Sequence, residues 1–420
     1  MKKKVLAFAA AAVLMAPQMV GAEGFAIYEW SAEGMGMAGA RMFAENDAAN
    51  LAYNPASITK VKGEAFKVSA TYLSPHGKYD TKGNPALGGQ DESGHNRVHP
   101  AWAPGMYYVK QINDKEWFGM GTWSRFGMVS QFERNTSAAS NSFSAKMNGI
   151  TLGANYARKM DKKWTASLGA EINYVGLQLD KNLWSGSMEI PANAIHMEGE
   201  TYALGWNAAA NYAFDEKNEV GVVYRSAINH SMDADYDYHG YFAGPNGAYG
   251  DAYACVTLPE SITLGYNHKF DDKTRVELNY TWTRWERYDA LNISVNPPIN
   301  TPLGPVDAMN VDKDWTNGKR FAIGLEHKFS DKYSGLLGYA FDHSNIPYDG
   351  GDFMIPTGTR TTYSVGAQYH DKKQTLAFSI GFMNVGSLDF KGNGKTDTFA
   401  SAHTRDSYTK MASISYQRNF

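Results

Sequence analysis

The sequence predicts an all-β fold: a transmembrane antiparallel β-barrel of about fourteen strands with an N-terminal hatch domain in its lumen. Three observations predict it. Residue character alternates with a period of two along most of the chain, short and long connections follow each other strictly in turn, and a segment without alternation precedes them. The predicted domains are a signal peptide at 1–22, the hatch at 23–63 and the barrel at 64–420.

Residues Met1–Ala22 have the composition of a secretory signal peptide. Three lysines at positions 2–4 are followed by an apolar stretch at 5–16 and by the small residues Gly21 and Ala22. We therefore expect an exported protein whose mature chain begins at Glu23.

The overall composition excludes several classes of protein. The 420 residues are 43% hydrophobic, 13% aromatic and 20% charged, with a net charge of -3. So many aromatic residues exclude a disordered chain, and a single cysteine, Cys255, excludes a disulfide framework. No apolar run after the signal peptide reaches the roughly 18 residues of a spanning helix. No basic patch indicates binding to nucleic acid.

Alternation is clearest in the segment 202–214. Tyr202, Leu204 and Trp206 share one predicted face, whereas the opposite face carries small and polar residues such as Asn207 and Asn211. Similar segments lie at 164–174, 262–270, 276–282, 321–329, 363–369 and 376–382. Soluble β-sandwiches also alternate, so the connections have to decide between the two folds.

The connections alternate between tight turns and long polar stretches. Turns such as Asp161-Lys162-Lys163 contrast with stretches such as 180–200 and 287–317, which are rich in Gly, Pro, Asp and Asn. Short turns at one end and long loops at the other are typical of outer-membrane barrels, and Tyr and Trp near the turns predict an interfacial girdle. Closure of the barrel leaves no backbone group unpaired in lipid.

The segment 23–63 lacks alternation and is rich in Gly and Ala. A barrel of fourteen strands is too wide for its own side chains to fill, so this segment is interpreted as a plug. Gly34, Gly36 and Gly39 spell G-x-G-x-x-G, but no βαβ unit surrounds them, and a dinucleotide site is therefore rejected.

Several motifs, taken together, resemble the FadL/TodX family of outer-membrane transporters for long-chain fatty acids and other hydrophobic compounds. They lie at 24–29, 31–36, 38–56, 258–261, 280–285 and 338–347. The resemblance implies that Asn54, Pro55 and Ala56 form the hatch motif. The stretch 355–360 departs from the family pattern, which usually has an acidic motif there.

The resemblance also implies a route for the ligand. An external groove passes it to a pocket inside the barrel, and it leaves sideways through an opening at a kink in the third strand, predicted at Trp117–Phe132. Phe126 and Gly127 match the kink, and Phe25 and Ile27 would reach the pocket. Two alternatives stay open: Gly127 simply ends a strand, and Phe25 and Ile27 pack inside the hatch.

Four charged residues are predicted to face the lumen, because each is opposite in phase to the apolar face of its strand. They are Glu171, Arg225, Glu277 and Glu326. A buried charge needs a partner, so some of them tie the hatch to the wall, or else all are solvated in a wet lumen.

Two other functions stay as alternatives to a transporter: a general diffusion porin and an outer-membrane lipid hydrolase. We expect no enzyme, because no nucleophile elbow appears and His268 and His327 share the apolar faces of their strands. No cofactor motif or metal-ligand spacing is present. The expected partners are a hydrophobic ligand, outer-membrane lipids and lipopolysaccharide, bound by a monomer in the outer membrane of a Gram-negative cell.

Overall fold

The computed structural model describes residues 24–182, 194–240, 247–301 and 304–420. Fourteen antiparallel strands form a closed barrel, in which the last strand pairs with the first from Ala65 opposite Asn419 to Gly83 opposite Phe399. This confirms the predicted fold class. The predicted signal peptide lies outside the described residues.

The barrel strands follow each other around the wall in chain order. They are β1 (Glu64–Gly83), β2 (Ala101–Asn113), β3 (Glu116–Trp123 and Gly127–Gln131), β4 (Ser144–Lys159), β5 (Trp164–Asn182), β6 (Ala194–Ala213), β7 (Asn218–Arg225 and Ile228–His239), β8 (Ala248–Leu258 and Ser261–Lys269), β9 (Thr274–Thr283 and Ala290–Thr301), β10 (Gly318–Lys328), β11 (Tyr333–His343), β12 (Arg360–His370), β13 (Gln374–Val385) and β14 (Phe399–Asn419).

The strands expose apolar residues on the outer surface of the barrel and bury polar residues on the inner surface, which is the reverse of a soluble protein. On β6, Leu204 is 78% exposed on the outer surface, whereas Asn207 and Asn211 are buried on the inner one. Exposed aromatic rings gather near the short turns, among them Trp164, Phe214, Phe329, Tyr333 and Phe420. Apolar residues on the outside and polar residues inside are what a lipid-facing barrel requires.

The short turns share one construction. Asp161 Oδ1 accepts hydrogen bonds from the amides of Lys163 and Trp164, both at 2.7 Å. Asp215, Asp271 and Asp371 cap their turns in the same way. An aspartate that binds the amides two and three residues ahead supports a tight turn without help from the rest of the fold.

The predicted long loops at 74–97, 230–257, 287–317 and 386–405 contain further strands, which corrects the sequence interpretation. Strands β7, β8 and β9 each continue after a break, and their continuations pair with one another beyond the apolar band. Short strands at Glu92–His95, Gly304–Asp312 and Asp389–Lys391 and 3-10 helices at Pro85–Leu87, Ser137–Ser140 and Trp285–Arg287 add to this end. The outer face of the β7 continuation carries Asn, Ser and Asp, so it stands in water.

The segment before β1 contains short helices: α1 (Ala32–Gly36), α2 (Asn50–Tyr53) and a 3-10 helix at Pro55–Lys60. Almost every residue in it is buried against inward-facing side chains of the barrel. Within the described ranges, no helix is long and apolar enough to cross a bilayer. We refer to residues 24–60 as the hatch segment.

Candidate functional site

The motif predicted at Asn54, Pro55 and Ala56 caps the 3-10 helix of the hatch segment. Asn54 Oδ1 accepts a hydrogen bond from the Ala56 amide at 3.1 Å, and Pro55 takes the first helical position, where no N–H is needed. Asn54 Nδ2 also donates to Asn211 Oδ1 on β6 at 2.7 Å. Asn211 in turn donates to Ser57 Oγ at 2.9 Å, so the motif both shapes the segment and fastens it to the wall.

A buried ionic network joins the hatch segment to β1 and β10. Arg41 lies 3.1 Å from Asp47 and 3.3 Å from Glu326, and the ammonium of Lys67 lies 2.6 Å from Asp47 and 2.8 Å from Glu33. Burial alone raises the pKa of Asp47, but Lys67 and Arg41 outweigh it and hold that pKa well below its usual range. Asp47 therefore stays ionised at neutral pH and can hold both cations.

All four charged residues predicted to face the lumen are buried there. Glu277 accepts hydrogen bonds from the amides of Met42 and Phe43, the latter at 3.3 Å, and Arg225 donates to the Ala52 carbonyl at 2.6 Å. Glu326 pairs with Arg41, as described above. Three of the four therefore hold the hatch segment directly, which favours the tie over the solvated alternative.

Glu171 acts within the wall. It accepts from Arg125 at 2.9 Å, from Asn207 at 2.9 Å, and from Arg225. Two guanidinium groups and one side-chain amide therefore pair with this carboxylate inside the barrel.

Strand β3 is broken at Ser124, Arg125 and Phe126, and the hatch segment completes it. The Ile27 amide donates to the Arg125 carbonyl at 2.9 Å, and the Gly127 amide donates to the Phe25 carbonyl at 3.1 Å. An isolated bridge joins Ala26 to Phe126. The N-terminal residues thus act as a short extra strand at the break.

The break also separates β2 from the second piece of β3. Strand β2 pairs with β3 from Met106 opposite Thr122 to Asn113 opposite Glu116, and the piece Gly127–Gln131 pairs with β4. Among the described residues, no backbone pair joins Ala101–Gly105 to that piece. A stretch of the barrel wall therefore lacks a hydrogen-bonded seam beside Gly127.

Phe25 lies inside a cage of aromatic rings. Its ring centroid is 4.7 Å from that of Trp285, 5.6 Å from Tyr288, 5.9 Å from Phe126 and 6.2 Å from Trp315, each in an edge-to-face arrangement. Such pairs are favourable geometries for aromatic quadrupoles. The hatch segment is thus anchored at its start by rings from β3 and from the long loops.

A cavity of about 940 Å³ runs from this cage to the unpaired stretch of wall. Phe25, Phe126 and Phe353 line its inner part, whereas Trp102 and Ile150, both exposed on the lipid side, line its outer part. One space therefore reaches both the interior of the barrel and its outer surface.

Ile27 and Gly127 meet at this cavity. A Cβ atom at Gly127 would lie 2.9 Å from Ile27 Cδ1, so the missing side chain leaves room for the hatch segment. Gly127 resumes the strand after the break and does not end it.

A lysine stands beside the aromatic cage on the long-loop side. Burial by itself lowers the pKa of Lys313, but the neighbouring Asp352 and Tyr288 outweigh burial and raise that pKa above its usual value. Lys313 therefore carries a positive charge next to Tyr288, with its ammonium 5.7 Å from the ring centroid.

A family model described as outer membrane protein transport protein (OMPP1/FadL/TodX) matches residues 13–420. The chain belongs to this family. Family membership and the barrel place the protein in the outer membrane.

Relatives and solved structures agree with this assignment. The long-chain fatty acid transport protein of Escherichia coli K12 is 24% identical over 440 residues, covering 94% of this chain and 96% of that protein. Outer membrane protein P1 of Haemophilus influenzae Rd is 26% identical over 415 residues, covering 88% and 87%.

Two crystal structures show the same fold. That of a Pseudomonas aeruginosa FadL homologue superposes with a TM-score of 0.82 at 17% identity, covering 94% of this chain and all of that one, 100%. The Pseudomonas putida toluene transporter TodX superposes with a TM-score of 0.66 at 15% identity, covering 94% and 99%.

Sequence reasoning missed most of the cage in this FadL/TodX member. Tyr288 and Trp315 come from the stretch 287–317, which the sequence predicts as a loop, and Trp285 ends the motif at 280–285. Only their aromatic character hinted at burial. The departing stretch 355–360 also lines the cavity, through Ile355, Pro356, Thr357 and Arg360. Within the described residues, no cluster of His, Cys, Asp and Glu is arranged to hold a metal ion.

Proposed function

We propose that this protein is an uptake channel for hydrophobic small molecules, of the long-chain fatty acid or aromatic hydrocarbon class. A ligand would enter from an external groove, occupy the pocket around Phe25 and Ile27, and leave sideways between β2 and the second piece of β3 at Phe126 and Gly127. The observation that carries the proposal is the cavity of about 940 Å³ that reaches both the interior and the lipid side.

The physical case rests on the surroundings of the ligand. An apolar solute gains nothing by crossing water, so an efficient route keeps it beside apolar groups from pocket to bilayer. The volume lies at the upper end of the range for small-molecule sites, which suits a long flexible chain. Arg360 and Lys146 also line the cavity and would suit an amphipathic ligand with an anionic end.

The hatch segment argues against a general diffusion porin. Its residues fill the lumen and are tied to β1, β6 and β10, so an open aqueous path would require their removal. We propose that residues 23–63 act as a hatch domain, that the barrel is 64–420, and that a monomer contacts outer-membrane lipid and lipopolysaccharide.

A bulky side chain introduced at Gly127 tests the lateral route. We expect Gly127→Trp to displace Ile27, fill the outer part of the cavity and lower uptake of a labelled fatty acid at least tenfold in proteoliposomes. Ala208→Trp, on the lipid-facing side of β6, is the matched control and should transport normally. Full uptake by Gly127→Trp would refute a lateral exit at this place.

The transporter and porin proposals are separated by conductance. The intact protein should show little steady ion current in a planar bilayer, and deletion of 23–60 should raise it. A large steady current through the intact chain would refute the hatch and favour a porin.

A further inference from the structure

A groove of about 440 Å³ opens at the short-turn end of the barrel, where the turn between β12 and β13 meets the end of β14. Its lining includes three exposed cations, Lys372 and Lys373 of the turn and Arg418 of β14. Asp371 and Gln374 also line it. We refer to this space as the basic groove.

The carboxylate and the amide of the basic groove are used to shape the turn. Asp371 Oδ1 accepts hydrogen bonds from the amides of Lys373 and Gln374, both at 2.8 Å, and Gln374 Nε2 donates to Asp371 Oδ2 at 2.8 Å. Gln374 Oε1 accepts from the Tyr416 hydroxyl at 3.1 Å. These bonds fix the turn against β14 and leave the two lysine side chains pointing away from it into solvent.

The basic groove carries an excess of positive charge. Among the described residues, none of its three cations forms an ion pair, and the Arg418 guanidinium lies 5.7 Å from the ring centroid of Phe420. Counting both Asp371 and a terminal carboxylate at Phe420 against the three cations, one positive charge remains. Charges on either side cancel, since Asp331 neighbours Lys332 on the next turn and Glu64 lies 3.8 Å from Lys110.

Arg418 stands on the lipid-facing side of β14. Its neighbours on that side are apolar or aromatic and exposed, namely Ile414 and Tyr416 on β14 and Leu376 and Phe378 beside them on β13. A long cationic side chain at the end of an apolar strip reaches the level of the lipid phosphates. Because short turns lie on the periplasmic side of such barrels, the basic groove faces the phospholipid headgroups of the periplasmic leaflet.

We propose that the basic groove binds the phosphodiester headgroup of an anionic phospholipid, of which phosphatidylglycerol is the simplest. Arg418 would bind the phosphate through two N–H donors, and the two lysines would add point charges. The acyl chains would lie on Leu376 and Phe378. The volume lies within the range of small-molecule sites, which leaves room for a whole headgroup. Phosphatidylethanolamine fits less well, because its ammonium would be repelled by the excess positive charge.

A second turn with the same three residues provides a contrast. Asp161-Lys162-Lys163 is capped in the same way as Asp371-Lys372-Lys373. The residue after the turn pairs with Arg418 in the basic groove, but with Tyr212 at the second turn. The Lys163 ammonium lies 5.8 Å from that tyrosine ring, so one lysine there already has a partner. Arg418 therefore distinguishes the basic groove from a turn that merely carries two lysines.

Native mass spectrometry of the full mature chain in detergent tests the preference. We expect phosphatidylglycerol to bind about tenfold more tightly than phosphatidylethanolamine with the same acyl chains. Lys372→Gln with Lys373→Gln should remove this preference. Lys162→Gln with Lys163→Gln removes the same charge from the second turn and should keep it. Equal affinity for the two lipids, or an equal loss in both double variants, would overturn the proposal.

Quenching by brominated lipid locates the bound molecule. In a Cys255→Ser background, a fluorescent label at Phe378→Cys lies beside the basic groove, and one at Leu168→Cys lies equally far beyond the second turn. Brominated phosphatidylglycerol should quench the label at 378 more strongly than brominated phosphatidylethanolamine, and the two lipids should quench the label at 168 equally. Arg418→Gln should remove the difference at 378. The absence of any difference in the chain with Arg418 intact would refute the site.

Competition identifies the source of the phosphate. Excess inorganic phosphate should leave phosphatidylglycerol bound, because it lacks the acyl chains that contact β13. Its displacement of the lipid would overturn the lipid assignment in favour of a free-phosphate site. The inference deepens the proposed contact with outer-membrane lipid but needs no transport. Uptake is measured separately, so a failure of the basic groove and a failure of the proposed channel are distinguishable.

Discussion

Removing the Lys67 ammonium is the sharpest test of how the hatch segment is held. Lys67 is 1% exposed on the inner face of β1 and binds Glu33 and Asp47 at once. The change Lys67→Met keeps the length and the apolar stem of the side chain but removes both ion pairs. Asp47 keeps Arg41, whereas Glu33 loses its partner, and its Oε2 has none among the described residues.

The magnitude follows from the two distances. At 2.8 and 2.6 Å, each pair is worth about 6 kcal/mol of Coulomb attraction at an effective dielectric constant of about 20. Most of this is offset by the cost of burying the charges. Removing one partner of a buried pair leaves that cost uncompensated and typically lowers stability by about 3–5 kcal/mol. We expect the hatch segment to lose this stability more than the barrel does, because Glu33 and Asp47 belong to the hatch segment.

Three measurements report the effect of Lys67→Met. Hydrogen exchange should show the amides of residues 31–52 opening about 100- to 4,000-fold more often, since about 1.4 kcal/mol corresponds to a factor of ten. Urea unfolding in detergent should show a smaller change for the barrel strands. Planar-bilayer recording should show brief current openings that the unmodified protein lacks.

Two further variants make the prediction decisive. Lys67→Met combined with Glu33→Gln should recover more than half of the lost protection, because the uncompensated carboxylate is gone. Lys110→Met removes an exposed ion pair to Glu64 at 3.8 Å and should change stability by less than about 1 kcal/mol. Unchanged hatch exchange in Lys67→Met would refute the claim that this network holds the hatch.

Three other changes test separate contacts. A Cβ at Gly338 would lie 2.3 Å from the Ala38 amide nitrogen, so Gly338→Ala should push the hatch from β11 and speed its hydrogen exchange, whereas normal exchange would contradict that contact. Burial lowers the pKa of His230 to about 4, so the folded chain binds fewer protons than the unfolded chain below pH 6.5. Urea melts should therefore show the free energy of unfolding falling as the pH is lowered from 6.5 towards 4. His230→Leu should remove this pH dependence. Phe353 contacts four aromatic rings at 5.0 to 5.4 Å, so Phe353→Ala should cost the loop region about 3–5 kcal/mol and expose its amides to exchange, leaving the barrel strands protected.

The barrel could be predicted from local patterns, because each of its signals is local. Period-two alternation fixes which residues face lipid, so the inward phase of Glu171, Arg225, Glu277 and Glu326 follows from their own strands. The turns follow from single aspartates such as Asp161. None of these inferences needs knowledge of distant contacts.

The site is different, because its parts come from distant segments. Phe25 meets Trp285 and Trp315 only after the barrel closes, and nothing near Trp285 in the sequence specifies that partner. The break in β3 is equally hidden, since Arg125 sits in an otherwise regular strand and is held there by Glu171 on β5. The strands beyond the apolar band were missed because their water-facing residues read as loop.

The polar wall also explains why the hatch segment is so rich in small residues. Polar side chains of the barrel wall form the hydrogen bonds to the hatch backbone that water would form in an open barrel. The Ala32 amide donates to Ser415 Oγ at 2.7 Å, and Ser379 Oγ donates to the Ala32 carbonyl at 2.7 Å. Backbone groups reach such partners only where the hatch side chains are short. Water can replace each hydroxyl contact at little cost, whereas the ion pairs around Lys67 cannot be replaced so cheaply. Movement of the hatch segment should therefore begin near Phe25, because no ion pair among the described residues holds the segment there. The movement should stop at Glu33, where the ion pair to Lys67 begins.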